Sequence, residues 1–131
     1  MFFARAAIAD EGARTETFIA CHLLKAVQTW EDLGFGTFEL HYLRDKQQRE
    51  VDFLISRDGN PWFLVEAKRS DRVLSPSLAF FQKQLKAPHA FQVVMELPYV
   101  SADCFTQNAP TVVPARTLLS QLVLRRNVSC L

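Results

Sequence analysis

The chain has 131 residues, 49% of them hydrophobic, which is enough for one buried core and too few for two full domains. A formal net charge of +1 provides no global attraction to nucleic acid or to an anionic membrane, so any basic surface must be local. Three widely spaced cysteines fit neither a disulfide framework nor paired metal knuckles. Because no apolar run reaches the roughly 18 residues of a spanning helix, we expect a cytoplasmic protein that does not enter a membrane.

The first half of the chain changes from helical to strand periodicity. Apolar residues over 13–30 recur at the spacing of one helical face and predict a helix. Apolar and polar residues then alternate over 38–43, 51–56 and 62–67, as they do in half-buried strands. The turn residues at 58–60 join the last two strands as a hairpin, so the sequence predicts a three-stranded meander after the helix.

The second half of the chain predicts further elements that complete the sheet. A helix over 77–86, with Pro76 at its start, precedes a strand over 91–97. A short edge strand at 111–113 and a helix over 118–124 follow. These elements predict an α/β fold, a mixed sheet flanked by helices, in the order α-β-β-β-α-β with a short β-α tail.

Burial of apolar side chains selects the register of the predicted hairpin. A two-residue turn at 58–59 would mix apolar and charged positions on both faces, whereas a three-residue loop at 58–60 leaves one face apolar. The three-residue loop pairs Arg57 with Pro61, Ile55 with Phe63, Phe53 with Val65, and Val51 with Ala67. The same register puts Asp52 opposite Glu66, and Lys68 joins them because side chains alternate with period two.

This arrangement of charges favours a divalent cation. Two carboxylates directly opposite each other repel, and a cation relieves that repulsion. Because Mg²⁺ prefers carboxylate oxygens and keeps several waters, we expect Mg²⁺ or Mn²⁺ to bind Asp52, Glu66 and the carbonyl of Ala67. Lys68 would orient the water or stabilise charge in the transition state. The alternative is a surface ion-pair ladder on a solvated sheet face.

Three further charged residues are candidates for the same site. Glu16 lies on the apolar stripe of the first helix, where a carboxylate is costly unless it is paired or binds metal, so it belongs either to the solvated end of the stripe or to the same cluster. The alternative for Glu16 is an ordinary charge that complements the helix dipole. Arg44 and Arg49, in the charged turn before the hairpin, are candidates for phosphate contacts, with plain solvation as the alternative.

Two short segments resemble a known family. Residues 49–55 (REVDFLI) and 64–68 (LVEAK) resemble the restriction-endonuclease-like, PD-(D/E)xK domain found at the C-terminal end of many bacterial and archaeal AAA+ ATPases. That family has no assigned function, and its site is similar to that of archaeal Holliday-junction resolvases. On this resemblance, the apolar opening at 1–11 is expected to be the remnant of a preceding segment, and 12–131 the nuclease-like domain.

The resemblance implies a site and an activity. A helical glutamate, an aspartate and a Glu-x-Lys strand form the acid and lysine set of the superfamily, which corresponds here to Glu16, Asp52, Glu66 and Lys68. A polar residue often lies on the following helix, where Gln82 is the candidate and Lys83 and Gln84 keep the choice open. The implied activity is Mg²⁺-dependent hydrolysis of DNA phosphodiesters. The implied partner is an ATPase domain of a longer chain, since no Walker-type loop occurs here. The alternative is a catalytically silent module that binds DNA or docks on the ATPase.

Overall fold

The computed structural model describes residues 11–124, and the predicted α/β class and order of elements are confirmed. The predicted remnant at 1–11 lies outside the described residues except for Glu11, as does the end of the predicted domain at 125–131. The elements are α1 (Glu11–Asp32), β1 (Phe38–Arg44), β2 (Glu50–Arg57), β3 (Asn60–Lys68), α2 (Pro76–Leu85), β4 (His89–Val94), a 3-10 turn (Cys104–Thr106), β5 (Thr111–Pro114) and α3 (Ala115–Leu124).

The five strands form one mixed sheet in the order β1-β2-β3-β4-β5. The first three strands are an antiparallel meander, whereas β4 is parallel to β3 and β5 is parallel to β4. Parallel neighbours need a crossover connection, which α2 supplies between β3 and β4. The carboxyl ends of β3, β4 and β5 therefore meet at one edge of the sheet.

The turn between β2 and β3 differs from the prediction. Residues 58–59 form a two-residue turn with φ of 51° and 84°, and Arg57 pairs with Asn60 rather than with Pro61. Positive φ at both central positions is typical of the type I′ turn, which suits the twist of a hairpin. A bulge at Trp62 then inserts one extra residue into β3. The bulge restores two of the predicted pairs, Ile55 with Phe63 and Phe53 with Val65.

A second irregularity separates Val51 from the apolar face on which it was expected. The β1–β2 register slips by one residue before the pair Leu43–Val51. Val51 consequently packs with Leu54 in the cluster beneath α2. The prediction that Val51 pairs with Ala67 on the face of Phe53 is therefore wrong, because a bulge reverses the alternation of side chains beyond it.

The two faces of the sheet carry separate hydrophobic clusters. On one face, α1 and α3 cover the larger cluster, and the indole Nε1 of Trp30 donates to the carbonyl of Leu122 at 3.2 Å. On the other face, α2 packs Leu78 and Phe81 against Leu64 of β3. Within residues 11–124, no helix is both long enough and apolar enough to cross a membrane.

Gln92 of β4 holds the loop between β3 and α2. Its side chain has no exposed surface, and its Oε1 accepts a hydrogen bond from the backbone N–H of Ser75 at 2.9 Å. Its Nε2 donates to the carbonyls of Val73 at 2.7 Å and Asp71 at 3.3 Å. One buried amide thus supplies the partners for three backbone groups of this loop.

We predict that Gln92→Met lowers the free energy of unfolding by about 1–3 kcal/mol, because the loop loses three hydrogen bonds to a buried amide. Urea denaturation measures the change. Gln82→Met is the matched control, since the amide of Gln82 also bonds backbone carbonyls but at a half-buried position that water reaches. An equal loss in both variants would contradict the role assigned to Gln92.

Candidate functional site

The β2–β3 ladder ends in an exchange of hydrogen bonds that involves two carboxyl side chains. Backbone pairing runs to Phe53 and Val65. At the next position, the N–H of Ala67 donates to Oδ2 of Asp52 at 2.8 Å, and the N–H of Asp52 donates to Oε1 of Glu66 at 3.3 Å. In each strand, a backbone N–H group therefore donates to a carboxyl oxygen of the other strand instead of to a backbone carbonyl. This exchange holds both carboxyl groups at the end of the ladder.

Lys68 joins the two acids from the last residue of β3. Its Nζ lies 3.6 Å from Oε2 of Glu66. The side chain of Lys68 is 33% exposed and that of Glu66 is 12% exposed, so the ammonium lies nearer to solvent than its partner. Lys68 balances part of the negative charge at the site and leaves its outer side accessible.

Glu16 reaches the same site from α1. Its carboxyl group makes a hydrogen bond with the carboxyl group of Asp52. Two carboxyl groups bond in this way only when one of them carries a proton. Burial and the charge of Asp52 both raise the pKa of Glu16, so the pair holds a proton to a higher pH than an isolated carboxyl group does. Of the two interpretations of Glu16, the structure favours membership of the acidic cluster.

The three acids hold protons at a higher pH than isolated carboxyl groups do. Burial raises the pKa of Glu16 to about 7, and repulsion from Asp52 adds to the effect. Burial also raises the pKa of Glu66 to about 7, with the charge of Asp52 adding and that of Lys68 opposing. Burial likewise raises the pKa of Asp52, although hydrogen bonds from Ala67 and Glu16 oppose it. Near neutral pH the cluster therefore carries more protons than three isolated carboxyl groups would.

The donor chemistry of the cluster fits a hard divalent cation, although the side chains are not yet arranged around one. Within residues 11–124, no group of three or more His, Cys, Asp or Glu side chains stands ready to hold a metal ion. The carboxyl oxygens of Asp52 and Glu66 are engaged with backbone N–H groups and with Lys68. Carboxylate oxygens are nevertheless the ligands that Mg²⁺ prefers.

A cleft of about 310 Å³ opens beside the Glu16–Asp52 pair. It lies between α1 and the adjoining ends of β1 and β2, and Tyr42, Arg44 and Glu50 line it together with the two acids. Tyr42 was not identified from the sequence. The sequence shows only a large aromatic residue in a strand of alternating exposure. This pattern is the same for a residue that lines a cleft and for one on an exposed edge strand.

The two arginines predicted as phosphate contacts are engaged in ion pairs. Arg44 contacts Glu50 at 2.6 Å at the cleft. The Nε of Arg49 contacts Oδ2 of Asp45 at 2.6 Å, and its guanidinium carbon lies 3.6 Å from the ring centroid of Phe80. Arg49 therefore fastens the β1–β2 turn to α2, and the structure brings only Arg44 to the cleft.

Gln82 lies near the amino ends of the parallel strands, whereas the acids lie near the carboxyl end of β3. Its Nε2 donates to the carbonyl of Ala87 at 3.2 Å and to that of Asn108 at 2.6 Å, which precede β4 and β5. The structure thus does not bring Gln82 to Lys68. The polar residue paired with Glu66 in the parallel ladder is Gln92, which the sequence shows only as one amide within an apolar strand.

Comparison with known proteins identifies one family. A family model described as "Domain of unknown function (DUF4143)" matches residues 11–117. The match includes the whole sheet and every residue of the acidic cluster. No curated protein matches the chain, and no solved structure matches it.

The raised pKa values predict that the metal-free domain loses stability as pH rises. In the folded state the pKa of Glu16 and of Glu66 is about 7, above the ordinary value of 4.5. Between pH 4.5 and pH 7 the folded state therefore binds more protons than the unfolded state. The contribution of these protons to the free energy of unfolding is complete below pH 4.5 and is lost as pH rises through 7. After allowing for solvent screening, we expect a loss of about 1–3 kcal/mol between pH 5 and pH 8.

Urea unfolding in EDTA at both pH values measures this loss. Glu16→Gln imitates the protonated form and should flatten the decline, since the amide carries no charge at either pH. Glu39→Gln, at an exposed position of β1, is the matched control and should keep the wild-type slope. A Glu16→Gln variant that declines as steeply as wild type would contradict the shared-proton arrangement.

Proposed function

This chain belongs to the DUF4143 family of domains of unknown function, and from its site we propose that it is a metal-dependent nuclease domain that hydrolyses DNA phosphodiester bonds. The observation that carries the proposal is the exchange at the end of the β2–β3 ladder. It holds Asp52 and Glu66 together, with the carboxyl group of Glu16 bonded to one acid and Lys68 paired with the other.

The burial of these acids argues against an ordinary surface ion-pair ladder. Such a ladder alternates opposite charges in water and costs little. Here Glu66 is buried and Asp52 is largely desolvated, and three carboxyl groups share one lysine. An excess of buried negative charge lowers stability, whereas amides could make the same backbone hydrogen bonds without that cost. A site for a cation accounts for the acids.

The residues of the cluster would divide the work of phosphodiester hydrolysis. Asp52, Glu66 and the carbonyl of Ala67 would hold Mg²⁺ or Mn²⁺, which lowers the pKa of bound water and polarises a phosphate when present. The ammonium of Lys68 would stabilise the negative charge that develops on the phosphate oxygens. Glu16 would keep the carboxylate of Asp52 in place and release its proton when a cation binds.

Two features favour a second candidate, a catalytically silent module that binds DNA or docks on another domain. The part of the chain that the structure describes holds no group of acids ready for a metal, and the formal net charge is only +1. The resemblance to the C-terminal domains of AAA+ ATPases is compatible with both candidate functions. We propose that the chain works in the cytoplasm beside an ATPase domain of the same longer protein.

We predict metal-dependent cleavage in a panel of duplex, single-stranded and branched DNA with Mg²⁺ or Mn²⁺. Glu66→Gln and Lys68→Met should each slow cleavage about 100-fold or more, the cost of removing one charge-stabilising group from an active site. Gel analysis of end-labelled products measures the rates.

The controls separate loss of chemistry from loss of surface charge. Glu39→Gln and Lys25→Met change exposed residues of β1 and α1 by the same substitutions and should cleave like wild type. Equal product from wild type and Glu66→Gln would indicate a contaminating nuclease. Absence of product from a folded wild-type domain would favour the silent module.

We also predict that divalent metal stabilises the domain weakly. For a Kd near 1 mM, 1 mM Mg²⁺ contributes about 0.4 kcal/mol and ten times that concentration about 1.4 kcal/mol. Mn²⁺ should act at lower concentration because it stands higher in the divalent affinity order. Thermal melts with and without metal measure the shift.

Asp52→Asn should abolish the metal response and raise the stability of the metal-free domain, because it removes repulsion together with a ligand. The neutral amide still offers an oxygen to the N–H of Ala67, so the fold keeps that contact. Identical metal shifts in wild type and Asp52→Asn would show that the stabilising ion binds elsewhere.

A further inference from the structure

The cleft beside Glu16 and Asp52 has an aromatic wall. Tyr42 of β1 is 51% exposed, although it is one of the larger apolar side chains of the domain. Its ring packs on that of Phe53, with centroids 5.6 Å apart, so its position is supported from within the sheet. A half-exposed ring that lines a cavity provides a flat surface for a planar ligand.

The charges of the cleft determine which part of a nucleic acid fits inside it. Glu16, Asp52 and Glu50 face the cleft, and its one arginine, Arg44, is already paired with Glu50. Three carboxyl groups against one arginine disfavour a phosphate within the cavity. A neutral base suits it better, because the exocyclic amino groups of bases can donate hydrogen bonds to carboxylates.

The volume of the cleft suits a ligand about the size of one nucleoside. About 310 Å³ lies at the lower end of the roughly 300–1,000 Å³ range of small-ligand pockets. A base inside an intact duplex cannot reach such a pocket, because it remains stacked and paired until it is extruded or the strands separate. Single strands expose their bases and bind proteins by stacking on aromatic side chains.

We propose that this cleft receives one unpaired nucleoside, stacked on Tyr42, next to the phosphate held at the acidic cluster. The substrate of the domain is then single-stranded or frayed DNA rather than intact duplex. The inference rests on the proposed nuclease function for the position of the phosphate, but the stacking of the base on Tyr42 makes its own contribution to DNA affinity.

Binding in a Glu66→Gln background tests the cleft without depending on cleavage. Fluorescence anisotropy in Mg²⁺ compares a short single strand with a blunt duplex that contains the same sequence. We expect tighter binding of the single strand. Tyr42→Ala should weaken single-strand binding about 5- to 100-fold, the usual effect of losing one base–aromatic stack, and leave duplex binding unchanged.

Three further variants isolate the aromatic ring. Tyr42→Phe keeps the stacking surface and should bind like the parent protein. Tyr42→Leu keeps an apolar contact with Phe53 but lacks a ring, and it replaces Tyr42→Ala if the alanine variant does not fold. Tyr99→Ala removes a tyrosine of similar exposure, 56%, that does not line the cleft, and should have no effect.

A scan with single abasic positions identifies the base that enters the cleft. At one position of the strand, the missing base should weaken binding by the same factor as Tyr42→Ala, and the two changes together should cost no more than either alone. Unchanged affinity in both Tyr42→Ala and Tyr42→Leu, or an equal loss on duplex, would overturn the inference. Cleavage without a Tyr42 effect overturns only this inference, whereas Tyr42-dependent binding without cleavage in the wild-type domain overturns only the nuclease.

Discussion

The candidate site depends on the point at which two strands replace backbone hydrogen bonds with side-chain hydrogen bonds. Up to Phe53 and Val65, β2 and β3 pair through their backbones. One residue further, a carboxyl oxygen of each strand accepts an N–H of the other. The acids are therefore part of the ladder, and their spacing is set by the sheet. Because backbone N–H groups favour the charged form, the same bonds offset part of the cost of burying the acids.

The neighbouring elements bring the remaining charges to this point. The parallel pairing with β4 carries β3 onward to Lys68, and the hydrophobic stripe of α1 docks that helix so that Glu16 reaches Asp52. Gln92, paired with Glu66 in the ladder, fixes the loop that begins just beyond Lys68. Strand pairing, helix packing and one buried amide thus act on the same few side chains.

Periodicity was sufficient to predict the elements and the meeting of Asp52 with Glu66, because one apolar face permits few registers. It was insufficient for the turn, since a two-residue turn with a bulge at Trp62 gives the same downstream pairing as a three-residue loop without one. Periodicity also did not show that Gln82 lies at the end of the sheet away from the acids. Which end of the strands a helical residue reaches depends on how the helix crosses the sheet, and local sequence patterns do not encode this.

The raised pKa values of the acids reconcile two observations. The acids are the ligands a hard cation prefers, yet the described residues contain no group arranged to hold one. A metal binds carboxylates only when they are deprotonated, so protons and metal compete for the same oxygens. With the pKa of both Glu16 and Glu66 near 7, the cation-free cluster satisfies its charge with protons and with Lys68. The protonated cluster is therefore compatible with the proposed cation site, since a cation would have to displace these protons before it could bind the carboxyl oxygens.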